Sequence, residues 1–423
     1  MLLSAQSLTG VVLIPFVAWL LSESRDLVPP RAALRIALVG IALQAAIAGL
    51  LLGLPAARAV FDVLGQAVAE LQAAMLEGMR FVFGYLAGGP TPFETAQPQN
   101  GFVLAFQALP LILIMSVLSR LLYHWGLLQR VVQGFAWALR RTLGVSGPLG
   151  TAAAANIFVG MVEAPLLVRP YLREMSRGAL FATMTVGMAT VAGTVFAFYA
   201  SVMAPSLPGA AGHLLAASVM SAPAALMIAR LMVPQDFEQG PETAQIEIED
   251  APASTMDAIA QGTLDGLRLL AYVTAMLVVM VALIALVNAI LAAVAALAGA
   301  SLSVQDILGW LCAPLAWIAG VPWSEAGTAG SLIGIKIVLN ELLAYLELAK
   351  TPATALSDRS RLIVTYVLCG FANLGSLGIM VGGLVALVPE RREDIVSLAP
   401  KTILSGLLAT LLTGAVVGTM TPG

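Results

Sequence analysis

Two carboxylates stand where a membrane-compatible chain least tolerates them. Glu163 lies in Ala155–Tyr171, Ala-Asn-Ile-Phe-Val-Gly-Met-Val-Glu-Ala-Pro-Leu-Leu-Val-Arg-Pro-Tyr, an apolar stretch broken by Gly160, Pro165 and Pro170. Glu341 lies in a second such stretch, 324–350, with Lys336 and Asn340. Breaks of this kind free backbone carbonyls and amides. Hydrocarbon cannot satisfy those groups, so each stretch must be packed in protein or line a water-filled cavity. An ionisable group in such a place marks a substrate or ion path. Paired broken segments, one in each half of a chain, point to a transporter binding site. No nucleophile–base pair and no nucleotide-binding loop stands out, so the chemistry is recognition rather than bond breaking and an ATP-driven pump is disfavoured.

Composition sets the surroundings. Of 423 residues, 59% are hydrophobic and only 11% charged, against about 25% charged in a soluble domain. Such a chain cannot present a solvated surface and reads as a polytopic helical membrane protein. The net charge of −3 argues against nucleic acid as a partner. Cys312 and Cys369 sit in apolar surroundings and read as small core residues. His124 and His213 are too separated for a metal cluster, and no cofactor is implied. The N-terminus lacks the basic region of a cleavable signal, so the first apolar run is expected to be a retained helix.

The elements that must position the acids follow in order. Residues 8–22, 32–53, 102–123, 178–204, 210–232, 260–297, 360–386 and 394–419 read as spans, about eight in all. Polar groups at helical spacing over 56–86 (Asp62, Gln66, Glu70, Glu77, Arg80) suit an interfacial helix rather than a span. Residues 125–143 look like a second surface helix. The broken stretches 146–171 and 324–350 read as re-entrant helical hairpins. Trp310, Trp317 and Trp323 mark an interface near 303–321. The acidic, proline-bearing 234–258 is the one clear linker. The organisation is therefore a scaffold at 1–144, a first hairpin unit at 145–233, the linker at 234–258, a scaffold span at 259–322 and a second hairpin unit at 323–423.

Orientation follows from cations. With the N-terminus outside, inward loops hold Arg25, Arg31, Arg35, Arg130, Arg140, Arg141, Arg169, Arg173, Arg177, Arg230, Arg391, Arg392 and Lys401. Outward loops hold Arg58, Arg80, Lys350, Arg359 and Arg361. The bias obeys the positive-inside rule. It places the first hairpin on the cytoplasmic side and the second on the outer side. The hairpin-plus-broken-helix pattern occurs twice, as Glu163 then Gly193 (193 − 163 = 30) and Glu341 then Gly375 (375 − 341 = 34). Copies opening to opposite faces form an inverted repeat, the arrangement that supports alternating access.

Local readings accompany these. Glu163 could be a structural acid paired with Arg169 or Lys336. Lys336 reads as neutralising a neighbouring acid, and Asp265 with Arg268 as a local pair one turn apart. Thr190 could back-bond within its helix, and Asn373 and Ser376 could satisfy an unwound backbone.

The stretch at 155–171 resembles the concentrative nucleoside transporter family, whose first hairpin usually reads Gly-Gln-(Thr/Ser)-Glu followed in many members by Ala-Pro-Leu. Gly262-Thr-Leu-Asp-Gly-Leu, Leu339-Asn-Glu-Leu-Leu-Ala-Tyr and Cys369-Gly-Phe-Ala-Asn-Leu-Gly-Ser extend the resemblance, from about residue 145 onward. It implies an all-α fold of eight spans and two opposed hairpins, a homotrimer in a bacterial inner membrane, and symport of nucleosides with Na⁺ or H⁺. Glu341, Asn373 and Ser376 match positions that hold ribose hydroxyls; Phe371 matches an aromatic lining position; Gly160 and Glu163 match the first hairpin motif. The residues that contact the base in the family are replaced here by Met161 and Val162. Loss of that amide and hydroxyl predicts a shift toward purine nucleosides or broad tolerance. The family's Na⁺ position maps to Asn156, Val159, Thr190 and Val191, and Na⁺ favours such oxygens. A buried Glu163 or Glu341 is equally compatible with H⁺. The rival readings are a symporter for another small polar solute and, from another class, a membrane enzyme, which would need acids and bases clustered at one face.

Overall fold

The computed structural model describes residues 2–94, 97, 101–238, 240–241, 252–296 and 302–421, and these contain helices but no strands. Much of the linker read at 234–258 falls outside the described residues. Among those described, eight helices are long and apolar enough to cross a membrane, nine if one bent pair counts as a span. The early helices α1 (Leu2–Leu20) and α2 (Pro30–Gly53) match the expected spans. The helix expected to lie at the interface, α3 (Pro55–Phe83), is a continuous 29 residues. Its length and apolarity also meet the requirement for crossing, because the polar groups are spread between long runs of Ala, Val and Leu. The span at 102–123 is broken near Pro110 into α4 (Leu104–Gln107) and α5 (Leu111–His124), and α6 (Leu127–Leu143) follows as the amphipathic helix expected.

The first broken stretch is α7 (Gly147–Asn156), a turn, and two single-turn helices, α8 (Glu163–Leu166) and α9 (Arg169–Leu172). Pro165 and Pro170 explain why its return limb cannot form one helix. Both ends meet the same segment. Ser146 N donates to Phe237 O at 2.9 Å, Gly147 N to Pro241 O at 3.0 Å, and Ser176 Oγ to Asp236 O at 2.7 Å. The second stretch is α15 (Trp323–Val338) and α16 (Glu341–Lys350), led by α14 (Val304–Ala319), which meets α15 at 114°. Its two ends also share a corner: Glu325 Oε2 accepts from Ser357 N at 3.2 Å, and Thr351 O accepts from Arg361 Nη2 at 2.6 Å.

The two corners lie at opposite ends of α19 (Arg392–Met420), whose 29 residues extend about 43 Å. Near its start, Arg177 pairs with Glu23 and Asp394, Lys401 pairs with Glu23, and Arg391 Nη1 donates to Met175 O at 2.6 Å. Burial alone would raise the Glu23 carboxyl, but hydrogen bonds and charge from Arg177 and Lys401 hold it below the usual carboxylate range. Near its end, the Arg359 guanidinium donates to Gly320 O, Leu3 O, Gly418 O and Thr421 O. Arg361 donates to Leu348 O at 2.7 Å. Arg359 and Arg361, read from sequence as loop charges, are instead buried clamps, chiefly on carbonyls that the C-terminal ends of helices leave open.

Between the corners run α12 (Ala210–Met232) and the two broken helices. One is α10 (Arg177–Ala189) with α11 (Gly193–Met203); the other is α17 (Asp358–Leu368) with α18 (Leu374–Leu387). They cross backbone to backbone at their breaks. A Cβ on Gly370, whose φ is +115°, would stand 2.7 Å from the carbonyl carbon and oxygen of Ala189. Only glycine allows both that dihedral and that approach. On one flank, α13 (Thr255–Ala296) packs on α5 through Gly262 and Gly266, where a Cβ would come within 2.7 Å and 3.0 Å of the α5 backbone. Small residues spaced in this way let two helices approach closely.

Candidate functional site

Each acid reaches the interior from a break with its own local cause. Asn340 caps α16, its Oδ1 accepting from Leu343 N at 2.9 Å, and this cap sets Glu341 in the first turn. Asn373 caps α18 in the same way, accepting from Ser376 N at 2.7 Å. Asn at such positions satisfies an otherwise orphaned amide. At the matching breaks of the first repeat there are no side-chain caps: Val162 precedes α8 and Ala192 precedes α11 without one. There Gly193 N donates to Phe158 O at 2.9 Å and ties the hairpin turn to the broken helix.

The second acid is held from two sides. Glu341 is buried and accepts from Tyr199 Oη at 2.6 Å and from Asn373 Nδ2 at 2.9 Å. Glu341, Asn373, Ser376 and Phe371 line one cavity of about 180 Å³ together with Gly160, Met161, Val162 and Glu163. The eight residues expected to face substrate are thus brought together. Glu163 is exposed to this cavity and to a larger neighbouring one, and its carboxylate makes no ion pair or hydrogen bond among the described residues. The pairing of Glu163 with Lys336 is not found. Lys336 is fully buried and donates to Val367 O at 2.7 Å and Thr410 Oγ1 at 3.1 Å, serving the open end of α17, and it reaches the carboxylate of Glu341 by charge without a hydrogen bond. Nor is Asp265 chiefly a partner of Arg268. Arg120 holds its Oδ2 with Nε at 2.9 Å and Nη2 at 2.7 Å, while Arg268 stands at 4.0 Å.

The residues expected at the ion position have mixed surroundings. Asn156 donates from Nδ2 to Ala152 O at 3.1 Å, but its Oδ1 is buried and unpartnered. Thr190 does back-bond, to Val186 O at 2.9 Å. Val191 N donates to Ser218 Oγ at 3.4 Å, and Ser218 Oγ donates to Ile157 O at 3.3 Å. Val159 stays partly buried beside the hairpin turn.

Sequence reasoning missed Tyr199 and Ser218. The signal for Tyr199 was present: a phenol in an apolar span, six residues past the break at Gly193, must find a partner when buried. Ser218 carried none, since serine in an apolar helix usually bonds its own backbone.

The same arrangement recurs in proteins of known kind. Three family models cover most of the chain: a Na⁺ dependent nucleoside transporter N-terminus over 9–86, a nucleoside recognition Gate over 105–206, and a Na⁺ dependent nucleoside transporter C-terminus over 213–418. The chain belongs to the concentrative nucleoside transporter family. Among its relatives, the nucleoside permease NupC of Helicobacter pylori is 39% identical over 97% of this chain and 96% of its own. Solute carrier family 28 member 3 of Homo sapiens is 32% identical over 92% of this chain and 56% of its own. CNTnw in an inward-facing substrate-bound state superposes with a TM-score of 0.87 at 38% identity, covering 99% of this chain and 97% of the other. A doubly substituted CNTnw in an outward-facing state gives 0.89 at 38% identity over 99% and 97%. The family is one of multi-pass membrane transporters, and this member is a transporter, not an enzyme. Nucleosides are favoured over another small polar solute as the cargo of the family.

Proposed function

We propose that the protein is a secondary active symporter that imports nucleosides across a bacterial inner membrane, coupled to Na⁺, as a homotrimer with its N-terminus outside. The observation that carries this reading is the Tyr199–Glu341–Asn373 cluster facing the first hairpin tip across one cavity. Vicinal ribose hydroxyls need acceptors and donors at fixed spacing, and Glu341, Asn373 and Ser376 offer both. Glu163 supplies a further acceptor from the opposite side. The Arg120–Asp265 pair ties α5 to α13 as a fixed frame, and the hairpins with their broken helices move against it. Counterflow in proteoliposomes tests the reading: labelled nucleoside should exchange for unlabelled nucleoside unchanged in chemistry, and no exchange would refute it.

Na⁺ as the coupling ion is supported by the buried, unpartnered Asn156 Oδ1, which lies with Met161 of the hairpin turn against Gly187 of α10. A buried acceptor left without a donor is costly unless a ligand satisfies it. Asn156→Leu should remove the stimulation of nucleoside binding by NaCl over choline chloride, by about tenfold or more. Stimulation that persists in the variant would assign the ion elsewhere, or to H⁺.

Base preference rests on Met161 and Val162. Both line the cavity and neither can pair with a base edge. Adenosine and uridine should therefore compete with similar strength. Met161→Gln with Val162→Thr should restore discrimination by roughly tenfold, since an unpaired polar group costs about 1–3 kcal/mol. Strong uridine preference in the unaltered protein would contradict this.

A further inference from the structure

At the end of the molecule where the first hairpin opens, two cavities of about 440 and 410 Å³ share Arg141, Gly144 and Glu238 as a common wall. One runs between α2 and α12, with Arg35 and Arg230 above Ile36, Val39 and Met227. The other lies against the start of α7, with Arg140, Ser146 and Gly147. Among the described residues, four arginines and one acid thus line the joined space.

Arg230 is already engaged: it donates to Leu143 O at 3.0 Å and to Glu238 Oε1 at 3.2 Å, and lies over the Phe237 ring. The others are not. Arg35 and Arg141 make no ion pair or hydrogen bond among the described residues. Arg140 Nε is buried without a partner, and so is Ser146 Oγ, on a residue only 6% exposed. Both residues line one cavity, and a buried guanidinium nitrogen and a buried hydroxyl left free are each unfavourable unless a ligand meets them. The positive end of the ten-residue α7 adds to the attraction for an anion.

We propose that this is a binding site for a phosphate group, and that its carrier is an anionic phospholipid of the adjoining leaflet. The phosphate would sit among Arg140, Arg141 and Ser146, where guanidinium forks match its oxygens. The apolar wall below Arg35, along Ile36 and Val39, would receive the acyl chain. Basic pockets between spans take anionic headgroups by this combination of charge and apolar wall. The site also touches the transport machinery. The Arg140 side chain lies across α7, so that a Cβ on Gly150 would stand 2.8 Å from Arg140 Cγ. A lipid holding Arg140 therefore braces the first hairpin.

The test uses the full chain in detergent, with native mass spectrometry of retained phosphatidylglycerol against phosphatidylcholine. The unaltered protein should retain phosphatidylglycerol preferentially. Arg140→Gln with Arg141→Gln should lower that preference about 30-fold, and Arg35→Gln about fivefold, from roughly fivefold per arginine. Arg392→Gln, an exposed arginine at the same end, should leave it unchanged. Because Arg35 is exposed, its variant keeps the test valid if the double variant fails to fold. A second arm adds inorganic phosphate and glycerol 3-phosphate. Binding of these alone, lost in the double variant, with no lipid preference, would uphold the phosphate site and overturn the lipid as its carrier. Equal retention of the two lipids with no phosphate binding would overturn the proposal.

Discussion

Glu341→Gln is expected to weaken nucleoside binding by about 10- to 100-fold, the range for losing one hydrogen bond to a charged group. Both oxygens of Glu341 accept in the structure, from Tyr199 and from Asn373. Glutamine keeps one acceptor and turns an NH₂ toward one of these donors. That donor is then left facing another donor in a buried site, and the substrate hydroxyl loses its carboxylate partner. The fold should tolerate the change, because glutamine has nearly the same shape and the Asn340 cap does not depend on it. Equilibrium binding of labelled adenosine to purified protein checks this. An unchanged affinity would remove Glu341 from the substrate site.

Gly370→Ala should be among the costlier single methyl additions in the molecule's centre, because steric overlap and backbone strain coincide there. The new Cβ would meet three backbone atoms, the Ala189 carbonyl carbon and oxygen at 2.7 Å and Met188 O at 2.8 Å, on a residue whose φ of +115° already disfavours alanine. Backbone cannot swing aside as a side chain can. The dihedral costs about 1–3 kcal/mol and the overlap about 1–3 kcal/mol more. Because Gly370 sits where the two broken helices cross, separating them displaces Asn373 on one and Thr190 on the other. We expect transport to be lost and the thermal midpoint in detergent to fall by several degrees. Gly327→Ala provides the comparison, since a Cβ there meets nothing within 4 Å and should leave both measurements unchanged. A Gly370→Ala protein with normal stability and uptake would refute the crossing.

Much of this was legible in the sequence because the membrane removes alternatives. Gly160, Pro165 and Pro170 fall close together and free backbone groups that lipid cannot satisfy, so they announce the first hairpin without a structure. Asn340 and Asn373 announce the breaks of the second repeat because each is a helix cap as well as a candidate ligand. Long-range pairing was not legible. Arg120 and Asp265 lie on different helices 145 positions apart, so sequence spacing reveals the looser i,i+3 pair with Arg268 but not the tighter one with Arg120. Lys336 was expected to neutralise a neighbouring acid; it acts on Glu341 through charge alone, while it donates to Val367 O, a carbonyl freed by a break whose position relative to α15 only the fold supplies. Arg359 and Arg361 followed the charge rule for loops, yet both are buried: Arg359 clamps carbonyls from elements far apart in the chain, and Arg361 those at the end of α16. Tyr199 lay in plain view, but its partner Glu341 is 142 positions away.

The most direct test is accumulation of labelled adenosine or uridine by proteoliposomes under an imposed inward Na⁺ gradient. Nucleoside concentrated above the outside level, collapsing when choline replaces Na⁺ and absent with Glu341→Gln, is the expected result. Equal uptake with and without the gradient, or uptake indifferent to Glu341, would contradict a cation-driven carrier gripping its substrate between the two hairpins.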